Sequence, residues 1–160
     1  MNRSRFLLSV AACVVTPAVI AASPMAHVPK TNTRRAVRAY VQDASKIVKK
    51  SGPSCATFES KEWRSGDYYI FVLGPDDKTL CHPRAEEIGK AQADIVNAKG
   101  DKIGERIVKT GKGNGKGWVD YLWTRTGKTT EEPKSSYVMG VTGPDGKHYI
   151  VGAGGYNLQK

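Results

Sequence analysis

Lys134, Ser136 and Tyr137 place an ammonium and two hydroxyls close together, and Tyr121 and Trp123 supply two large rings a short way upstream. An ammonium is a point charge for a carboxylate. Hydroxyls add donors, and ring walls exclude water and so strengthen both interactions. That chemistry is the binding of a small organic anion. Two extended, aromatic-rich runs, Gly117–Trp123 and Pro133–Val141, flank a polar bend from Thr124 to Glu132, the pattern of an antiparallel hairpin with a long loop. Strand alternation puts Val119, Tyr121 and Trp123 on one face and Trp118, Asp120 and Leu122 on the other. On the returning strand Lys134 and Ser136 alternate with Ser135, Tyr137 and Met139, and Lys134, Ser136 and Tyr137 together form the polar end of the expected pocket.

Other chemistries find little support. The three histidines, His27, His82 and His148, have no metal-ligand spacing, so no metal site is expected. No serine sits in a nucleophile-elbow context, no carboxylate pair shares a strand, and no Cys-x-x-Cys pair occurs. Gly111-Lys-Gly-Asn-Gly-Lys-Gly117 lacks the spacing of a phosphate loop and is followed by a strand pattern, so it reads as a flexible connection. The expectation is a binding module, not an enzyme, with no cofactor. A secreted hydrolase and a basic surface-interaction protein are the alternatives from other classes.

These side chains need a sheet to hold them. Val37, Tyr40, Val41, Ala44, Ile47 and Val48 recur at helical spacing, predicting one amphipathic helix started by Asn32 or Thr33 and stopped by Gly52-Pro53. A short helical turn follows around Phe58. Tyr68–Leu73 reads as a strand buried on both faces. Gly74-Pro-Asp-Asp-Lys turns the chain into a second strand, Thr79–His82. Ile88, Ile95, Ile103, Ile107 and Val108 are sparse apolar anchors in the stretch before Gly117, with a short helix at Ile103–Val108. After the hairpin, Gly143-Pro-Asp-Gly-Lys repeats the first turn, and Tyr149–Val151 is the last strand. The sum is an α+β domain of five strands, one helix ahead of the sheet and helical turns between strands two and three.

The chain opens Met-Asn-Arg-Ser-Arg, runs apolar from Phe6 to Ala22 and then turns polar, the form of a secretory signal peptide cut near Ala22, with Ala26 as the other site. Residues 1–22 are thus the leader, 23–31 a linker and 32–160 the domain. Val10-Ala-Ala-Cys13 also has the form of a lipoprotein box, but the apolar run continues past it. A lipid anchor at Cys13 or an uncleaved leader is therefore the only expected membrane attachment. The formal charge is +10, and removing Arg3 and Arg5 with the leader leaves +8. Such a balance invites a nucleic acid, but the cations are scattered and an exported chain meets little of it, so none is expected as a partner. Two cysteines remain after cleavage, Cys55 and Cys81. In an oxidising compartment they are expected to pair, the alternative being two buried thiols.

Asp67-Tyr-Tyr-Ile-Phe-Val-Leu, Thr79-Leu-Cys-His-Pro, Ile88-Gly-Lys, Gly117-Trp-Val-Asp-Tyr-Leu-Trp, Pro133-Lys-Ser-Ser-Tyr-Val and Gly152-Ala-Gly-Gly-Tyr resemble, in order, the successive blocks of the single Cache domain family. The resemblance runs from about Thr33 to Tyr156. It implies a PAS-like five-stranded antiparallel sheet behind a long N-terminal helix, used outside the cytoplasm to sense small molecules, often short organic acids. It also places the ligand against the Tyr121–Trp123 part of the sheet, with Tyr69 and His82 joining from the other hairpin. The sequence shows neither a second membrane helix nor a signalling domain. A periplasmic or secreted domain that binds a short organic acid and serves a membrane receptor or transporter is the resulting expectation.

Overall fold

The computed structural model describes residues 26–160. The leader, its cleavage near Ala22 and Cys13 lie outside the described residues. Helix α1 (Arg34–Ser51) starts where Thr33 accepts a hydrogen bond from the Ala36 amide and stops where Gly52, at φ 78°, donates to the Val48 carbonyl. It buries Val37, Tyr40, Val41, Ala44 and Val48, the stripe read from the sequence. The arginine that opens it, unfavourable for the helix dipole, is held by Asp120 at 2.8 Å. Helix α2 (Cys55–Glu59) is the short turn around Phe58.

Five antiparallel strands follow: β1 (Phe71–Leu73), β2 (Thr79–Cys81), β3 (Lys116–Thr124), β4 (Glu131–Thr142) and β5 (His148–Tyr156), in the order β2-β1-β5-β4-β3. The fold is the expected α+β, PAS-like sheet with a long helix before it. The last strand in the chain occupies the centre. That position explains its composition: Gly152, Ala153, Gly154 and Gly155 let neighbours on both faces approach closely. The two Gly-Pro-Asp turns close alike, Gly74 donating to Lys78 and Gly143 to Lys147, with Asp76 and Asp145 each accepting an amide two residues on.

Each sheet face has its own core. On one, α1 covers Ile70, Val72, Tyr137, Tyr149, Val151 and Ala153, joined by Phe58 and Trp63. On the other, Tyr69, Phe71, Leu73, Val119, Val138 and Ile150 meet Ile95, Ile103 and Ile107 from the segment between β2 and β3. That segment carries two 3-10 turns (Ala85–Glu87 and Gln92–Asp94) and helix α3 (Ile103–Val108). Ile95, Ile103 and Ile107 are anchors as expected, whereas Ile88 is 47 % exposed and anchors nothing. The glycine-rich stretch is packed instead of merely connecting: Gly111 is buried on the Ile150 side chain, and Gly115 accepts the Gly140 amide. The stretch just before α1 is fastened too. His27 stacks on Trp63 at 4.0 Å, and Asn32 donates to the Tyr156 and Asn157 carbonyls.

Cys55 and Cys81 form a disulfide with Cα atoms 5.2 Å apart, tying α2 to β2. No helix among the described residues is long and apolar enough to cross a membrane.

Candidate functional site

The strand register assembles the site. Tyr121 faces Lys134 across the β3–β4 pair, Val119 faces Ser136, and on the other side of β4 Lys134 faces Tyr156 and Ser136 faces Gly154. Because alternation is strict, Lys134, Ser136, Tyr121 and Trp123 share the sheet face away from α1. Tyr69 comes to the same face from the residues leading into β1, two before Phe71.

Lys134 is 2 % exposed and Ser136 fully buried. The Lys134 ammonium donates to the Tyr69 hydroxyl at 2.7 Å, and it lies 4.4 Å from the Tyr69 ring centre and 5.3 Å from that of Tyr156. Asp67, an acid whose field reaches it, is itself paired with Arg125. Among the described residues no carboxylate forms an ion pair with Lys134. Burial therefore lowers the pKa of the ammonium, and the Arg84 charge adds to the effect. A solvated strand-end lysine is excluded. Gly154 makes room for this side chain: a β-carbon there would collide with Ser136 Oγ and the Ser135 carbonyl and sit 2.9 Å from Lys134 Cε.

A cavity of about 40 Å³ lies on the far side of the Tyr69 and Tyr121 side chains from Lys134 and Ser136, which do not line it themselves; its walls are Tyr69, His82, Tyr121 and Trp123 on the aromatic side and Phe71, Leu73, Ile95, Ile103 and Ile107 on the apolar side. That is several times the space one water needs. Thr79, Glu87 and Gln92 complete the lining. Tyr121 and Ser136 share a hydrogen bond of 2.7 Å. Burial pushes the Tyr69 hydroxyl up to about 12 and raises that of Tyr121, so both remain phenols with a proton to donate. Having accepted a hydrogen bond from the Lys134 ammonium, the Tyr69 hydroxyl is a polarised donor.

His82 is held neutral. Burial, followed by the Lys134 and Arg84 charges, pushes its pKa down to about 3. Its Nδ1 accepts the Arg84 amide at 3.1 Å, which places the remaining proton on Nε2 and makes the ring another donor. Arg84 lies with its guanidinium 4.9 Å from the centre of the Trp123 ring and donates to Thr124. Its Nη2 is 3.6 Å from Glu87, which also pairs with Lys90 at 3.2 Å. The acid bordering the cavity is thus already balanced.

Of the residues singled out in the sequence, Tyr69, His82, Tyr121, Trp123, Lys134 and Ser136 converge. Tyr137 does not. It sits opposite Trp118 on the α1 face, under the Arg38 guanidinium, because it is one residue out of phase with Lys134 and Ser136. Sequence reasoning missed Arg84, Glu87, Thr79 and Gln92 and the apolar side formed by Ile95, Ile103 and Ile107. The isoleucines were visible as anchors, but only the fold shows that they close over the face that carries Lys134.

The family model of the Cache domain matches residues 22–158. The chain belongs to the Cache domain family. This family comprises extracytoplasmic sensory ligand-binding domains. Among solved structures, the Cache chain is similar to a periplasmic sensor domain of a chemotaxis protein, 26 % identical with a TM-score of 0.50, covering 77 % of this chain and 74 % of that one. It is equally similar to a Cache chemosensory domain solved for its carboxylic acid recognition, 26 % identical with a TM-score of 0.51, covering 75 % and 73 %. A methyl-accepting chemotaxis protein from Vibrio parahaemolyticus shares the fold at 15 % identity and a TM-score of 0.54, covering 76 % and 86 %. No curated protein matches the sequence.

Proposed function

We propose that this Cache domain is an exported, non-enzymatic sensor that binds a short monocarboxylic acid in the cavity next to the Lys134–Tyr69 pair. The observation that carries the reading is a fully buried ammonium with no acid paired to it. Desolvating a cation costs several kcal/mol unless a counter-ion repays it, and a ligand carboxylate is that counter-ion. Tyr69, Tyr121 and His82 each present a donor to it, Ser136 fixes Tyr121, and Phe71, Leu73, Ile95, Ile103, Ile107 and Trp123 take a short carbon tail. Glu87 carries its own cations, so the one unpaired positive charge near the cavity is Lys134, which acts through the Tyr69 hydroxyl it donates to, and a single charge suits a monoanion better than a dianion. The recognition of carboxylic acids by a similar Cache domain agrees with this chemistry. The leader at residues 1–22 would bring the domain to the periplasm or beyond, where a membrane receptor or transporter would read the bound state.

A thermal-shift screen of two- to four-carbon carboxylates tests the reading. An acid present at 100 times its dissociation constant should stabilise the domain by about 2.7 kcal/mol. The corresponding alcohols and amines should not. Equal shifts from the uncharged analogues, or none from any acid, would remove the anion site.

A further inference from the structure

The opposite face of the sheet carries a second surface. Helix α1 holds six basic residues, Arg34, Arg35, Arg38, Lys46, Lys49 and Lys50, against one acid, Asp43, so it supplies +5 of the +8 that remains without the leader. Its exposed side is a stripe: Arg35, Arg38, Lys46, Lys49 and Lys50 fall within about a third of the helix circumference at 100° per residue. Among the described residues Arg35, Lys49 and Lys50 have no acidic partner, and Lys46 is paired only with Asp43 beside it.

Beside the stripe the sheet is not fully covered. A trough runs between α1 and β4, walled by Gln42, Ser45, Lys46 and Lys49 and floored by Met139, Gly140, Val141 and Thr142. Met139 and Val141 are only partly buried there. The Ser45 hydroxyl at the wall is buried without a hydrogen-bond partner. An apolar floor under a basic rim asks for an occupant with the reverse pattern.

We propose that this trough docks an acidic amphipathic helix of a partner protein, its apolar side chains on Met139 and Val141 and its carboxylates on Lys46 and Lys49. Charge decides against a second copy of α1, which would bring the same five exposed cations to the contact. Shape decides against a bilayer, since the floor lies on the sheet below the helix that carries the lysines, where a flat surface does not reach. Helix-in-groove recognition needs apolar anchors flanked by complementary charge, and both are present.

The test uses the full chain and a labelled model peptide in which Leu and Glu are segregated on opposite faces, read by fluorescence anisotropy. The segregated peptide should bind, and a permuted peptide of equal composition should bind about tenfold more weakly. Lys46→Gln with Lys49→Gln should weaken the segregated peptide about tenfold, a loss within the range of two exposed ion pairs. Methyl signals of Met139 and Val141 should shift on titration. The double variant should keep its melting temperature. Equal binding of both peptides, methyl shifts confined to other residues, binding of phosphatidylglycerol vesicles in place of the peptide, or self-association lost in the double variant without peptide binding would each overturn the proposal.

Discussion

Lys134 is desolvated by the fold without an acid to neutralise it, and the first prediction follows from that imbalance. Lys134→Met keeps the stem's apolar volume and removes the charge. Stability without ligand should not fall, because a buried cation with one neutral hydrogen-bond partner costs more than it returns. The shift produced by a carboxylate should shrink by roughly 1.5–3 kcal/mol, the scale of a charged hydrogen bond. Calorimetry with an acid from the screen decides the matter; unchanged affinity would make Lys134 a structural residue only. His82 gives a pH prediction with a definite sign. Its pKa falls from an unfolded value of 6.5 to about 3 in the fold. The unfolded chain therefore binds the proton first as pH drops. Stability tied to His82 is complete above 6.5 and is lost as pH falls toward 3, reaching about 2 kcal/mol at about pH 5. Urea melts of wild type and His82→Gln should diverge by that amount between neutral and acid pH. Parallel curves would show that the ring is not held neutral.

At the level of elements, the disulfide joins α2 to β2, the edge strand that carries Thr79 to the cavity and leads directly into His82. Reduction should lower stability by roughly 3–4 kcal/mol on the chain-entropy estimate and weaken carboxylate binding, measured by melts and calorimetry with and without a thiol reductant. Two titratable thiols in unreduced, unfolded protein from the periplasm would contradict the pairing. Elements were also where the sequence was most legible. The period of Val37, Tyr40, Val41, Ala44 and Val48, with Thr33 before and Gly52-Pro53 after, specified α1 because caps and periodicity act locally. Strand alternation put Tyr121 and Trp123 on one face and Lys134 with Ser136 on one face of the returning strand, while the register that joins the two sets is a property of the fold. Alternation also held the signal that Tyr137 belongs to the other face. What stayed hidden depends on tertiary contact. Nothing local in Arg84–Gln92 announces that it borders the cavity, since its 3-10 turns are short and its one large apolar residue, Ile88, points to solvent. The central place of β5 was likewise unreadable from chain order, though its run of Gly and Ala is what a crowded middle strand requires. Gly154→Ala should therefore destabilise the domain by roughly 1–3 kcal/mol through overpacking against Ser136, and thermal melts would show it.

Across the whole molecule, the sheet separates two kinds of electrostatics. On the α1 side the cations face water, and on the other Lys134 is enclosed by Tyr69, Tyr156 and Tyr121. Mobile ions screen exposed charges within about 10 Å at 0.1 M salt but reach a buried pair far less. The two surfaces should then respond differently to ionic strength, which sets the carboxylate sensor apart from a protein that merely adheres to polyanions through its net charge. Affinity for a short carboxylate, measured by calorimetry from about 20 mM to about 200 mM salt, should change by no more than about twofold. Binding of a polyanion to the α1 stripe should weaken steeply over the same range, as contacts of several exposed cations do. A carboxylate affinity that collapsed with added salt would locate the bound acid among the surface lysines and arginines, and the enclosed ammonium would lose its claim to be the binding charge.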